Sequence, residues 1–576
     1  MGASFEGGRM PLLPRLIFAA VLVLGLASPV AVAAAPPLGV DAVIAGLLGQ
    51  HDVPGPDGAL KLAGRPVDRA VLDRIYAPRQ YAPVWLNDVS DASGPALHPR
   101  GEAVLRHLGQ AETEGLDPAD YHLGDIAARA GGADARTLAE FDLLLTEALA
   151  RFARDVRIGR VAPRSVDGDI LIPPPSLDLA ETVLTVIHAP DIGERLAALP
   201  PPHPEYANLR TALARMRKVA KAGGWAVVGE GQVLRPGMQD PNVAAVRRHL
   251  IATGDLQGPA KGGPDKGGDV YDPKLEAAVR RFQARHGIDV DGVVGVQTRA
   301  HMNITAAERT GQILANMERW RWMPDDLGRR HVLVNVPAFT LAAREGGETR
   351  LDMRVVVGTN ARRTPMLASR ITGTTFNPTW TVPLRNARED VLPKLQRNAG
   401  YLDEMGIRVY AGWQADAPLV NHRTVDWRSV GTKITRYRLV QQPGPLNALG
   451  RYKFNIPNEQ DIYLHDTPQH DKFARSQRTF SSGCVRLSEP DALNAWLFAA
   501  HPDWDESRTR AIVDSGKTRT VRLPEAVPVY LLYQTAWMDA AGVFHFREDI
   551  YGRDAQLSQI FERKREAPIR TARLAS

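Results

Sequence analysis

Cys484 is the only cysteine in the 576-residue chain. It stands in Ser481-Ser482-Gly483-Cys484-Val485-Arg486-Leu487, which closes the stretch from Tyr463 to Leu487. A lone thiol cannot close an internal disulfide. It is therefore either a small buried hydrophobe or a group whose reactivity is wanted. Three neighbours suit reactivity. Gly483 lets backbone N–H groups approach a substrate closely, as an oxyanion hole requires. Arg486 sets a fixed positive charge two residues away, which favours a thiolate. His465 ends the apolar run Ile462-Tyr463-Leu464, 19 residues before the cysteine. A strand ending in His and a loop returning to Cys would bring imidazole and thiol into hydrogen-bond reach, the arrangement of a nucleophile and its base.

The neighbours of this pair are less specific. Tyr463 shares a strand face with His465, so it either contacts substrate or orients the base. Asp466 is next door on the same strand and points the other way, so it is given no role in a triad. Ser481 and Ser482 are candidates for hydrogen bonds to the loop or to His465. Arg486 either binds a substrate carboxylate or ties down its loop. Trp380 lines a cleft or packs in a core. The cluster His465, Asp466, His470 and Asp471 lies in a polar loop and is set aside as a metal site. His286 is set aside as a ligand because no partner stands at helical spacing. Neither a metal nor a cofactor is expected.

The elements that must position these residues divide the chain. Residues 40–225 read as helical, most strongly over 138–156, where Leu138, Phe141, Leu145, Leu149, Phe152 and Val156 form one apolar stripe. Trp85 reads as core, and a further helix is predicted over 204–222. Residues 230–305 read as a compact module with helices at 243–250 and 273–286 and a Gly/Lys/Asp/Pro loop, 258–268, between them. Residues 306–330 read as a linking helix. Beyond it the pattern turns to β, with short strands predicted at 332–336, 339–342, 353–358, 376–383, 444–450, 452–456 and 462–465, and late strands at 520–523 and 527–533. Residues 386–440 interrupt this pattern and read as an inserted lid over a site. The catalytic region spans 331–540, and 541–576 reads as a C-terminal tail whose basic end is frayed.

Composition bounds the rest. The chain is too long for one core. Apolar content of 44% and charged content of 24% are ordinary for a globular protein. The net charge of +6 is mild and suits proximity to anionic polymers. No clustered basic–aromatic face argues for nucleic acid. Arg9 and Arg15, the apolar run 16–27 and Ala31-Val32-Ala33 read as a secretory signal peptide, 1–33. The run is short for a membrane span, so export without a retained anchor is expected, to the periplasm or cell wall.

His465-Asp466-Thr467 and Ser481-Ser482-Gly483-Cys484-Val485-Arg486-Leu487 together resemble the signature of L,D-transpeptidases, bacterial enzymes that cross-link peptidoglycan. The resemblance is to the large, scaffolded members; Ser482 and Asp466 stand where compact members carry His and Gly. The Trp85 stretch, Glu114–Tyr121 and His203–Tyr206 resemble the scaffold segment of such proteins. Val279–Gly287 and Asp291–Gly295 resemble their three-helix peptidoglycan-binding domain. The implied fold is multidomain α+β, with a helical scaffold, that three-helix module, and a mainly β catalytic sandwich carrying the lid. The implied chemistry is acyl transfer through Cys484, with His465 as general acid/base and Gly483 and Ser482 around the oxyanion. Arg486, Tyr463 and Trp380 would meet substrate. The donor would be a tetrapeptide stem that loses D-Ala, and the acceptor a diaminopimelate amine, giving a 3→3 cross-link. Acylation by carbapenems is implied as well. Partners would be peptidoglycan stem peptides and glycan, with cell-wall synthesis proteins as candidates. Two other readings stay open: an L,D-carboxypeptidase or endopeptidase using the same pair, and a non-catalytic wall-binding protein.

Overall fold

The structure, a computed structural model, describes residues 39–49, 60–87, 97–173, 175–258, 268–398, 400–539 and 541–566. The expected signal segment, residues 259–267 of the expected loop and the last ten residues lie outside the described residues.

The apolar stripe read from the sequence becomes helix α1 (Ala135–Arg157), whose first turn is capped by the Asp134 carboxylate accepting from Thr137 N–H at 2.9 Å. Leu138, Phe141, Leu145, Leu149 and Phe152 are buried in a core shared with Trp85. The Trp85 indole donates to Thr146 Oγ1 at 2.9 Å, so its polar edge is satisfied inside that core. The next module holds helices at Pro241–Thr253, Pro273–His286 and Val296–Met302 around a separate core of Val243, Leu275, Phe282 and Val294.

The catalytic region is built on β2 (Arg330–Asn335), β3 (Thr340–Glu345), β4 (Glu348–Gly358), β5 (Met366–Phe376), β6 (Tyr452–Asn455), β7 (Leu464–His465), β8 (Thr479–Ser481), β9 (Val485–Leu487) and β10 (Arg519–Leu532). Strand pairing runs β6-β7-β9-β4-β3-β2-β10-β5 and returns to β6, so the sheet closes on itself. β8 adds to β4, and β1 (Ile170–Leu171), from the helical region, adds parallel to Met366 and Leu367 of β5. Closure gives the inner face a continuous apolar core of Val334, Leu341, Val355, Ile371, Leu464 and Leu487.

That core also takes in Val161, Ile170, Tyr206, Leu209 and Leu213. The helical region is thus split: residues up to Val156 and from Ala180 to Leu199 share one core, while Val161 to Ile172 and α2 (Pro204–Lys221) pack on the catalytic sheet. Helix α3 (Ala306–Arg321), opened by a capping box of Thr305 and Glu308, is more than a linker. Ile313, Met317 and Trp320 lie in the shared core, and its polar side chains reach three neighbours. Arg319 pairs with Asp554 at 2.6 Å, Glu318 accepts from Val161 N–H at 2.9 Å, and Asn316 exchanges hydrogen bonds with Thr535 at 2.7 and 2.9 Å.

Several expectations need correction. The strand predicted at 376–383 ends at Phe376, because Asn377 takes a left-handed φ of 44° and turns the chain into a second sheet. Residues 444–450 form turns rather than a strand, with Asn447 buried and donating to the Pro378 and Gln442 carbonyls at 3.0 and 2.9 Å. The two late strands are one, β10, in which residues 523–526 bulge opposite Thr372. Residues 541–566, expected as part of a tail, are built into the fold. Phe544–Phe546 pairs with Ala536–Met538, and α4 (Arg553–Glu566) carries Leu557 into the shared core.

Candidate active site

β7 lies between β6, antiparallel to it, and β9, parallel to it. The register sets Lys453 opposite His465, and His465 opposite Arg486. Residues in register across neighbouring strands share a face of the sheet, so these three form one row. Tyr463 and Cys484 stand two residues before His465 and Arg486, hence on the same face. All five line one cleft of about 1410 Å³.

The tautomer of His465 is fixed by the backbone. Its Nδ1 lies 2.5 Å from the Asp466 carbonyl oxygen, which accepts a proton and leaves Nε2 as the basic nitrogen. The ring is buried and meets the Tyr463 ring edge-on at 5.6 Å. Burial, then Arg486 and Lys453, push the imidazole down to about 3. Asp466 orients His465 through its carbonyl, while its carboxylate accepts from the N–H groups of Arg451 and Thr467, each at 2.7 Å. Burial pushes the Cys484 thiol up to about 11, against the opposing pull of hydrogen bonds from Tyr463 and of the Lys453 and Arg486 charges. The thiol reaches the Asp461 carbonyl at 3.7 Å. The resting pair is therefore a neutral thiol and a neutral imidazole.

The loop before the cysteine is held from three sides. Gly483 has φ +116°, and a Cβ there would stand 3.3 Å from Ile462 Cδ1 and 3.4 Å from the Arg363 carbonyl oxygen, so glycine is required. The Ser481 hydroxyl donates to the Cys484 carbonyl at 2.5 Å and accepts the Gly483 N–H at 3.2 Å. The Gly483 N–H is thus engaged within its own loop and does not stand free for an oxyanion. Thr364, fully buried, donates to the Gly483 carbonyl at 2.7 Å. Ser482 accepts from Arg362 at 2.8 Å and Asn386 at 3.0 Å, which makes it a tie between loop and insertion.

The insertion has a core of its own, with Leu392, Leu402, Trp427 and Ile434, and a four-stranded sheet to which Trp380-Thr381 contributes an edge. Arg362 grips it at Asp390 (2.5 Å) and Glu389 (2.8 Å). Trp380 lines the cleft and hydrogen-bonds Tyr463. Arg486 donates to Gln469 at 2.8 Å, so its loop-tying contact is present.

The structure therefore brings Cys484, His465, Tyr463, Arg486 and Trp380 to one cleft, and turns Gly483 and Ser482 to loop architecture. Sequence reading missed Lys453, Thr364 and Arg362. Lys453 was legible in principle, since it sits on a predicted strand, on the face opposite Tyr452 and Phe454; its partner strand was not.

Comparison with known proteins follows the same division. Residues 70–213 match a scaffold domain, residues 239–302 a "Putative peptidoglycan binding domain", and residues 329–513 the L,D-transpeptidase catalytic domain. A "Putative L,D-transpeptidase" of Haemophilus influenzae is 36% identical over 249 residues, covering 43% of this chain and 49% of that protein. The chain spans about half the length of this curated relative. Among solved structures, an L,D-transpeptidase from Stackebrandtia nassauensis is 14% identical, with 52% of this chain and 94% of that one covered, at a TM-score of 0.20. L,D-transpeptidase 3 from Mycobacterium tuberculosis, in complex with a faropenem-derived adduct, is 13% identical, with 35% and 60% covered, at a TM-score of 0.17. The His465 strand and the Ser-Gly-Cys loop both fall inside the matched catalytic segment, and the chain thus joins an L,D-transpeptidase catalytic domain to a scaffold domain and a peptidoglycan-binding domain.

Proposed function

We propose that the protein cross-links peptidoglycan by a two-step acyl transfer through Cys484. The reading rests on Cys484, directly before β9, and His465, on the neighbouring parallel β7, lining one cleft, with His465 Nδ1 committed to a carbonyl. The Cys484 sulfur attacks the carbonyl of the third residue of a tetrapeptide stem while His465 Nε2 takes the thiol proton. The Cys484 N–H faces the developing oxyanion. The Gly483 N–H joins it on release from Ser481. The tetrahedral intermediate collapses with loss of D-Ala, whose amine receives the proton from His465. A diaminopimelate side-chain amine of a second stem then attacks the thioester, yielding the 3→3 amide and restoring the thiol.

The insertion and Trp380 cover the thioester and favour amine over water as acceptor. The peptidoglycan-binding module holds the chain on its polymeric substrate. The protein works outside the cytoplasm, in the periplasm or wall, once the N-terminal segment is removed. Among the described residues, no helix is long and apolar enough to cross a membrane.

The test is incubation of the protein with tetrapeptide-rich muropeptides, read by mass spectrometry beside Cys484→Ala. Dimers with a new 3→3 bond and loss of D-Ala, absent in the variant, are expected. Tripeptides without dimers would replace transfer by hydrolysis, and no change in either sample would leave a binding protein. A carbapenem is expected to add its mass to the folded protein at Cys484 and not to Cys484→Ala. An unmodified intact mass would count against a reactive thiol.

A further inference from the structure

Lys453 occupies an unusual place for a lysine. It is half-buried in mid-strand rather than at the cleft rim, directly opposite the base. Its ammonium stands 4.4 Å from the centre of the Tyr463 ring, close to the thiol. Arg486 holds the other end of the row, with one nitrogen on Gln469 and a buried Nε without a partner among the described residues. Two cations thus flank a neutral imidazole and a neutral thiol. Asp461 attracts Lys453 only from a distance, and no described carboxylate forms an ion pair with either cation. Half-buried charge without a counter-ion is costly, and the relief available here is an anion arriving from the cleft.

We propose that Lys453 is a specificity-determining anchor for a substrate carboxylate, held between Lys453 and Arg486 across the His465 row. This deepens the acyl-transfer reading and rests on it for the identity of the substrate. A tetrapeptide stem offers that chemistry from two sources: the carboxylate of the departing D-Ala, and the free carboxylate on the diaminopimelate side chain. The first is borne on the carbon next to the scissile nitrogen, and the second stands at the far end of the diaminopimelate chain from the scissile carbonyl. An ammonium stacked on a tyrosine face keeps its charge pointed at the cleft, and a cation on each side of the thiol aligns the donor chain along the row. Bound there, the carboxylate neutralises the row and sets the scissile carbonyl over the sulfur.

The experiment uses the full-length protein carrying Cys484→Ala, so that binding is read without turnover. Three donors are titrated by calorimetry: the free tetrapeptide stem, the stem amidated at D-Ala, and the stem amidated at the diaminopimelate side chain. Lys453→Met is expected to weaken the free stem about tenfold, the scale of one charge-assisted contact. It should be indifferent to amidation at the one carboxylate that Lys453 reads, and that donor identifies the source. Lys453→Arg should retain the discrimination, which a merely structural role would not predict. Equal loss on all three donors, or no loss on any, overturns the proposal, and a thermal melt of each variant separates misfolding from lost recognition. Parallel assays with Cys484 intact keep the two readings apart. Cross-linking without the binding difference removes the anchor and leaves the function. The binding difference without cross-linking removes the function and leaves the anchor.

Discussion

The His465 imidazole is buried between two half-buried cations, and the half-buried Cys484 thiol opens on the same cleft. With the thiol pushed up to about 11 and the imidazole down to about 3, neither charges at neutral pH. In the proposed acyl transfer, proton transfer would then accompany attack instead of preceding it. Because the thiolate is the nucleophile towards a simple alkylating agent, carbamidomethylation of Cys484 should accelerate by about tenfold per pH unit between pH 7 and 10. Intact mass against time checks this; a rate already level at pH 7 would reveal a preformed ion pair. At Gly483 the constraint is steric. Gly483→Ala places a Cβ at φ +116° against Ile462 and a carbonyl, a strain of about 1–3 kcal/mol. Loss of carbapenem acylation with a modestly lowered melting temperature is expected.

Above the residue lies a brace from distant elements to the catalytic loop. Arg553, at the start of α4, is fully buried, pairs with Asp167 at 3.1 Å, and lies over the Tyr533 and Tyr551 rings at 4.9 and 5.2 Å. The Tyr551 hydroxyl donates to the Gly358 carbonyl at 2.6 Å and accepts from Thr364 N–H at 3.2 Å. Thr364 Oγ1 accepts from Gly358 N–H at 2.9 Å and donates to Gly483 at 2.7 Å. The C-terminal helix and the helical region therefore converge on Gly483, the residue that precedes Cys484. Thr364→Val keeps the shape and leaves the Gly483 carbonyl without its donor, at a cost of about 1–3 kcal/mol. Slower acylation of Cys484 is expected, with Thr364→Ser restoring the rate. Unchanged acylation in Thr364→Val would sever the brace from the chemistry.

Across the whole molecule, the peptidoglycan-binding module docks on the C-terminal hairpin through buried rings and arginines. His286 stacks on Phe282 at 3.8 Å and on Phe546 at 5.8 Å, and Arg547 donates to the Arg285 carbonyl at 2.9 Å. Burial, then Arg285, lower His249 to about 4, against the opposing pull of Asp255. Burial, then Arg285 and Arg309, hold His286 well below 6.5. In the unfolded chain these imidazoles protonate near 6.5, so below that pH the unfolded state takes up protons that the folded state refuses. Stability is complete above about pH 6.5 and falls on acidification, by about 1.4 kcal/mol per pH unit for each such group. Thermal melts at pH 7.5 and 5 should show a clear loss, smaller in His286→Phe. A melting temperature independent of pH would mean that these rings are hydrated.

The sequence by itself determined the candidate residue pair and the broad division of the chain. A single cysteine behind Gly483, a histidine ending an apolar run, and an apolar stripe over 138–156 are local patterns, and local patterns survive translation into structure because their spacing is set by the backbone repeat. What only the tertiary structure decided depends on which strand lies beside which. Lys453 faces His465 only because β6 pairs with β7, and Thr364 reaches Gly483 only because β4 turns back under the loop. The region 541–566 read as a tail, and it is held by Leu557, Phe546 and a buried Arg553 whose partner lies in the helical region. Ser482 and Gly483 stood at the right positions for an oxyanion hole, and their hydrogen bonds went instead to Arg362, Asn386 and Ser481. A backbone donor's partner is chosen by three-dimensional neighbours, and spacing along a chain carries no record of them.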